Sequence, residues 1–98
     1  MPQDDAFVIG QYGTLCLQYD GYRQIDDPQK CKNAAKVLDK ELSVESTDSQ
    51  PPGCYYDIEH DDVWYNGHDI GSENEYSAPI CFLGKMYSII NLFENKRI

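Results

Sequence analysis

The residues best suited to covalent chemistry in this chain are its four cysteines. Cys16, Cys31, Cys54 and Cys81 are spread over most of the 98 residues, and none of them forms a C-x-x-C pair. The spacings typical of dithiol redox motifs and zinc knuckles are therefore missing from the sequence. An even number of dispersed cysteines in a short acidic chain predicts two structural disulfides and an oxidising compartment. The alternative is four free thiols, buried as small apolar side chains in a reducing compartment.

Two histidines lie among carboxylates, an arrangement suited in principle to metal binding or acid–base catalysis. His60 and His68 are surrounded in sequence by Asp57, Glu59, Asp61, Asp62 and Asp69. The order does not match an EF-hand loop, which has acids at fixed odd positions and a glycine at the sixth. A Cys54–His60 dyad would need a free thiolate, which a disulfide excludes. We therefore interpret the segment as a solvated acidic loop and expect no metal, no cofactor and no catalytic residue.

An aromatic hairpin is the best candidate for binding. Two β-prone segments, 54–58 and 62–66, flank a polar connection at 59–61 that suits a tight hairpin. Two-residue alternation predicts that Tyr56 and Val63 pack in the core. Aromatic side chains with polar tips are enriched at protein interfaces. The residues predicted to contact a partner are Tyr55, Trp64, Tyr65 and Asn66, of which the first two are the freest to be exposed.

A helix is the clearest of the elements that must position these residues. Asp27 is a good N-cap, and Pro28 suits the first helical position because its φ is fixed and no donor is needed there. An apolar stripe follows at helical spacing: Cys31, Ala34, Ala35, Leu38 and Leu42. The pattern predicts a helix over about 28–42 that approaches a sheet closely through its alanines.

The remaining patterns predict a small, largely antiparallel sheet. Apolar segments at 14–19 and 78–83 predict two further strands, and the polar segment 43–53, which contains two prolines, predicts a loop. The sequence therefore predicts an α+β fold, one helix packed on this sheet, in a single domain spanning 1–98. Segment 84–98 is a candidate docking tail that either contacts a partner or closes the core of the domain. Its apolar residues at helical spacing are Met86, Ile89, Ile90 and Phe93.

The predicted elements favour one of the three pairings that four cysteines allow. A Cys31–Cys54 bridge would join the helix to the hairpin across the polar loop. A Cys16–Cys81 bridge would join the N-terminal strand to the last strand. The two other pairings stay open at this stage, because connectivity does not follow from sequence alone.

Composition excludes several classes of partner. The net charge is −9, with 41% hydrophobic and 26% charged residues. Like charge repels nucleic acid and anionic membranes, so this balance suits a soluble protein or one that docks on a basic surface. No stretch approaches the roughly 20 apolar residues that cross a bilayer, and residues 1–5 have neither the basic start nor the apolar run of a signal peptide.

Several motifs follow one another between about residues 14 and 82. They are Gly21-Tyr22 with Ile25, Cys31-Lys32-Asn33-Ala34-Ala35-Lys36-Val37-Leu38, Pro51-Pro52-Gly53-Cys54-Tyr55, Trp64-Tyr65-Asn66 and Pro79-Ile80-Cys81. In this order they resemble a small four-cysteine module found in predicted proteins of algae and marine protists. The resemblance implies a secreted or lumenal module, and it brings no known catalytic residues. The segment after Cys81 is not part of the pattern.

These observations favour a non-enzymatic protein-interaction module, extracellular or lumenal, that serves as an accessory or structural subunit of a larger assembly. Because the resemblance points to algae, one concrete version is a lumenal subunit peripheral to a photosynthetic membrane complex. The alternative is a binding domain for a small ligand, a carbohydrate or a cation, built from Trp64, Tyr65, Asn66 and the nearby acids. An enzyme is the least favoured class.

Overall fold

A computed structural model describes residues 7–83, so the docking tail predicted at 84–98, with Met86, Ile89, Ile90 and Phe93, lies outside the described residues. The described elements are, in order, β1 (Val8–Ile9), a 3-10 helix (Cys16–Gln18), β2 (Tyr22–Gln24), α1 (Pro28–Val37), β3 (Leu42–Glu45), β4 (Gly53–Asp57), β5 (Asp62–Asn66) and β6 (Ser77–Leu83).

The strands form one mixed sheet. Its order is β1-β6-β4-β5-β3, and β2 also pairs with β6. Between residues 7 and 83, four of the five strand pairs are antiparallel, and the exception is β3, which runs parallel to β5. The α+β class predicted from the sequence is confirmed. The aromatic hairpin also forms as predicted, with Tyr56 opposite Val63.

The helix begins where the sequence predicts but ends earlier. The Asp27 side chain accepts a hydrogen bond from the Gln29 N–H at 2.9 Å, and Pro28 takes the first position. The predicted end at residue 42 is wrong, because Asp39 adopts a left-handed φ of 59°. The Lys40 N–H then donates to the Ala35 carbonyl at 2.9 Å, which closes the helix with a Schellman-type turn.

Two other local predictions are corrected by longer-range contacts. Segment 14–19 is not a strand, since it contains the 3-10 helix and folds back through the Tyr19 hydroxyl, which bonds the Gln11 N–H at 2.8 Å. Segment 43–53 is not entirely loop, because Leu42–Glu45 forms β3 and pairs with β5. That pairing depends on a strand that follows β3 by almost twenty residues, which a local pattern does not reveal.

Both predicted disulfides are present, and they lie on opposite faces of the sheet. Cys31 bonds Cys54, and Cys16 bonds Cys81. Strand register places the side chains of Cys54, Tyr56 and Val63 on the face that packs against α1. Cys81 lies on the opposite face, with Tyr55 and Pro79. All four cysteines are paired, so the alternative of four free thiols is excluded for this structure.

The helix face of the sheet holds the main hydrophobic core. Its fully packed members are Ile25, Cys31, Ala34, Ala35, Cys54, Val63 and Ile80. Helix residues 34 and 35 are alanines, so α1 comes close to the sheet. No helix within the described range is long and apolar enough to pass through a bilayer.

Gly53 fixes how β4 begins. Its φ is +78°, and a Cβ at this position would lie 2.6 Å from the carbonyl oxygen of Ile25. Any side chain would therefore displace the segment that joins β2 to α1. The glycine lets β4 start directly beside that segment, with Cys54 as the next residue.

Loss of the disulfide that closes the longer loop is expected to destabilise the protein more than loss of the other disulfide. The Cys16–Cys81 bridge closes a sequence separation of 65 residues, against 23 for Cys31–Cys54. Chain entropy then predicts losses of about 4 and about 3 kcal/mol for the paired Cys→Ala variants. Urea unfolding of the two double variants measures the order. The opposite order would show that packing around the helix, rather than loop closure, dominates.

Candidate functional site

The four hairpin residues predicted to contact a partner are separated by the fold. Tyr55 is only 1% exposed, so the prediction that it is free for binding is wrong. Its hydroxyl donates to the Glu45 carboxylate. The pKa of the Tyr55 phenol is raised mainly by burial and secondly by this hydrogen bond. On the same face of the sheet, Cys16 is bonded to Cys81 of β6, and Gln50 of the loop before β4 accepts a hydrogen bond from Ser77. Trp64 stays half-buried, and its indole N–H donates to Asp62 at 2.8 Å.

Asn66 is also buried, at 1% exposure, and its role in the structure is to organise loops. Its amide nitrogen donates to the carbonyls of Thr47, Gln50 and Pro51 at 2.9, 3.1 and 3.1 Å. Its amide oxygen accepts from the N–H groups of Thr47 and His68 at 2.9 and 3.1 Å. One side chain thus satisfies five backbone groups and ties the loop before β4 to the end of β5.

The turn between β4 and β5 presents an apolar pair surrounded by acids. Ile58 and Tyr76 lie on adjacent segments of the chain, and the Ile58 N–H donates a hydrogen bond to the Tyr76 carbonyl at 3.1 Å. They are 49% and 47% exposed. We call this region the hairpin-end surface, and its further members are Glu59, Asp61, Asp62 and Glu75.

Hydrogen bonds hold this surface in one arrangement. The Tyr56 hydroxyl donates to Asp61, and the Lys40 ammonium bonds the same carboxylate at 2.8 Å. The bond to Asp61 is the main cause that raises the pKa of Tyr56 to about 12. The hydrogen bond from Lys40 is the main cause that lowers the pKa of Asp61, and the hydrogen bond from Tyr56 is the second. Asp61 therefore stays ionised and fixed at the edge of the surface.

A histidine and two carboxylates meet beside the same turn. One ligand atom from each of Asp57, His60 and Asp62 lies within 4.8 Å of the others, a geometry that could hold a divalent cation. Each carboxylate already has protein partners. Asp57 accepts from the Glu59 N–H at 2.9 Å and bonds His60 at 2.7 Å, and Asp62 accepts from Trp64. The cluster is thus a satisfied hydrogen-bond network in its own right.

A second feature lies at the opposite end of β5. An open cleft of about 410 Å³ is lined by Gln24, Asp26, Tyr65, Asn66, Gly67, His68 and Asp69. The Tyr65 hydroxyl donates to the Asp26 carbonyl at 2.7 Å. Burial, followed by Asp26 and Asp27, raises the pKa of Tyr65. Two residues predicted for binding, Tyr65 and Asn66, therefore both line this cleft, whereas Trp64 does not.

Sequence reasoning missed several members of both features. The first hairpin strand is predicted over 54–58, but β4 ends at Asp57 and Ile58 enters the turn. Tyr76 lies directly before β6, outside the strand predicted at 78–83. Gln24 and Asp26 are far from the hairpin in sequence and reach the cleft only because β2 pairs with β6. No local signal identifies them.

The chain matches no protein-family model, no curated protein and no solved structure.

Replacing Asn66 with alanine is expected to destabilise the protein strongly. The five backbone groups that bond Asn66 would lose their partner in a buried place, and we expect a loss of about 2–4 kcal/mol. Asn33→Ala is the control, because Asn33 lies on α1 with one side-chain bond from Gln29. That change should stay within about 0.5 kcal/mol. Equal effects in chemical denaturation would show that Asn66 does not organise the loops.

His60 is expected to make stability depend on pH. The hydrogen bond and charge of Asp57 raise the pKa of His60 above its usual value. The raised pKa means that the folded state holds the proton more tightly, so the stabilisation is complete below about pH 6.5 and is lost as pH rises through the folded pKa. NMR titration should find His60 above the usual histidine value, and His60→Gln should remove this part of the pH profile. A His60 pKa at or below the usual value would contradict the ion pair.

Proposed function

We propose that this protein is a non-enzymatic interaction module whose hairpin-end surface docks on a basic surface of a partner protein. The observation that carries the proposal is the exposed pair of Ile58 and Tyr76 at 49% and 47%, set among carboxylates. An apolar centre with a polar rim is the usual anatomy of a specific interface. The proposal deepens the interaction-module hypothesis reached from sequence.

The charge of the rim identifies the chemistry of the partner. Glu59 and Glu75 act electrostatically on Tyr76, which places both acids near the apolar pair. The Lys40 ammonium offsets part of the negative charge of Asp61, so the other acids of the surface supply the charge available to a partner. Lysine and arginine side chains on the partner would meet these acids, which speeds encounter and fixes orientation more than it adds affinity.

Rigidity favours docking over non-specific adhesion. The turn follows directly from β4 and leads directly into β5, and the Asp61 N–H donates to the Asp57 carbonyl at 2.7 Å. Asp61 in this turn accepts hydrogen bonds from Tyr56 and from Lys40, and the second bond links the turn to the segment after α1. A surface that is already ordered loses little conformational entropy on binding.

The compartment is part of the same proposal. Two disulfides indicate an oxidising environment. Within that class we propose an extracellular or lumenal location and a role as an accessory subunit of a larger assembly. The resemblance to an algal four-cysteine module supports this version, with a photosynthetic membrane complex as one assembly of the required kind.

A basic amphipathic peptide tests the hairpin-end surface directly. We expect a peptide of alternating lysine and leucine to shift the NMR signals of amides 56–62 and 75–77. The affinity should fall steeply between about 50 and 300 mM salt, because exposed charges are screened. The charge-reversal pair Glu59→Lys and Glu75→Lys should abolish binding.

Matched controls separate a defined surface from general negative charge. Ile58→Ser should weaken binding, whereas Ile70→Ser should not, because Ile70 is 75% exposed outside the surface. The pair Asp20→Lys and Asp48→Lys makes the same change of charge as the Glu59 and Glu75 pair, at exposed positions outside the surface, and should keep most of the binding. Shifts spread over all acidic segments, or equal losses in the Ile58 and Ile70 variants, would overturn the proposal.

A further inference from the structure

The geometry of the cleft at the end of β5 points to a binding site for a neutral saccharide, and we propose this as a second function independent of the hairpin-end surface. The cleft has a volume of about 410 Å³. This lies within the range of about 300–1,000 Å³ common for small-ligand sites. Its lining combines one aromatic ring with amide, carboxylate and imidazole groups, the side chains that recognise sugar hydroxyls.

The lining side chains are held in place before any ligand binds. The Gln24 amide nitrogen donates to Asp26 at 2.6 Å, and the Tyr65 hydroxyl donates to the Asp26 backbone at 2.7 Å. Asn66, fixed by its five bonds, holds the strand end behind them. Preordered polar groups bind a small ligand with little loss of conformational entropy.

Two backbone hydrogen bonds fix the tautomer of His68, which lines the cleft. Its Nδ1 accepts from the N–H groups of Ile70 and Gly71 at 3.2 and 2.9 Å. A nitrogen that accepts cannot carry the proton in the neutral ring, so the proton is on Nε2. The cleft therefore offers one defined N–H donor from this side chain.

Several atoms of the other lining side chains are free acceptors, and the charge of the lining disfavours anions. Among residues 7–83, Gln24 Oε1, Asp26 Oδ2 and the Asp69 carboxylate have no protein partner within hydrogen-bond distance. The lining contains two carboxylates and no lysine or arginine. Phosphate, sulfate and carboxylate ligands would be repelled, whereas the hydroxyl groups of a neutral sugar would donate to these oxygens.

Gly67 lines the cleft beside Tyr65 and has no side chain to occupy it. A Cβ at this position would have only ordinary contacts, 3.8 Å from the Glu45 carbonyl oxygen and 3.9 Å from the Tyr65 ring. Its φ is outside the left-handed region, so a larger residue would fit the backbone. Gly67→Leu is therefore expected to fill the cleft beside Tyr65 without disturbing the fold.

An NMR titration with sugars tests the proposal. Glucose, galactose, mannose and N-acetylglucosamine are added separately to the ¹⁵N-labelled full chain, up to about 50 mM. We expect at least one of them to give saturable shifts confined to Gln24, Asp26 and residues 65–69, with a Kd on the order of 1 mM. Absence of saturable shifts with all four sugars would overturn the proposal, as would a response to Ca²⁺ alone.

Three variants make the result specific. Gly67→Leu should abolish the shifts by filling the space, and Asp69→Asn should weaken binding about tenfold by removing a charged acceptor. Asp48→Asn makes the same chemical change at an exposed position outside the lining and should bind like the native protein. Unchanged binding in both cleft variants would place the sugar elsewhere and contradict the proposal. The basic-peptide response of the hairpin-end surface should remain in all three.

Discussion

Two disulfides clamp a single small sheet from opposite sides, and most of the remaining structure depends on this constraint. Cys54 is bonded to the helix on one face, and Cys81 is bonded to the N-terminal segment on the other. The two cysteines lie on neighbouring strands, β4 and β6. A chain of this size buries only a modest apolar core, and cross-links that restrict its unfolded state compensate for that. The sheet can therefore be covered on both faces, although only the helix face has a conventional hydrophobic core.

The second face is packed with polar groups that satisfy one another. Tyr55 bonds Glu45, Ser77 bonds Gln50, and no buried side-chain nitrogen or oxygen within the described residues lacks a partner. This arrangement needs each loop in one conformation, because a displaced loop would leave buried donors and acceptors unpaired. Asn66 is the clearest case, since its amide bonds backbone groups on both sides of it in sequence. The loops around β5 are thus ordered by hydrogen bonds, and the cleft and its side chains are ordered with them.

Sequence patterns were sufficient where the signal was local. Asp27-Pro28 marked the start of α1, alternation and the polar connection marked the hairpin, and the positions of the cysteines in these elements favoured the correct pairing. The failures have a common cause in distant contacts. Leu42 is predicted as the end of the helix and residues 43–45 as loop, and only the pairing with β5 makes these four residues a strand. Tyr55 is buried with its hydroxyl on Glu45 of β3, and because β3 joins the sheet only through its parallel pairing with β5, the alternation within β4 could not predict this burial.

The two proposed sites share β5 as their common support, which decides how they can influence each other. Asp62 at the hairpin end and Asn66 at the cleft are four residues apart on this strand, about 13 Å at about 3.3 Å per residue. The strand is paired on both sides, with β4 and β3, so it transmits little movement. Exposed charges at that separation are also largely screened at physiological ionic strength. A partner protein at one end and a sugar at the other would therefore bind nearly independently. A single rigid strand allows a chain of this size to present two unrelated surfaces without a hinge between them.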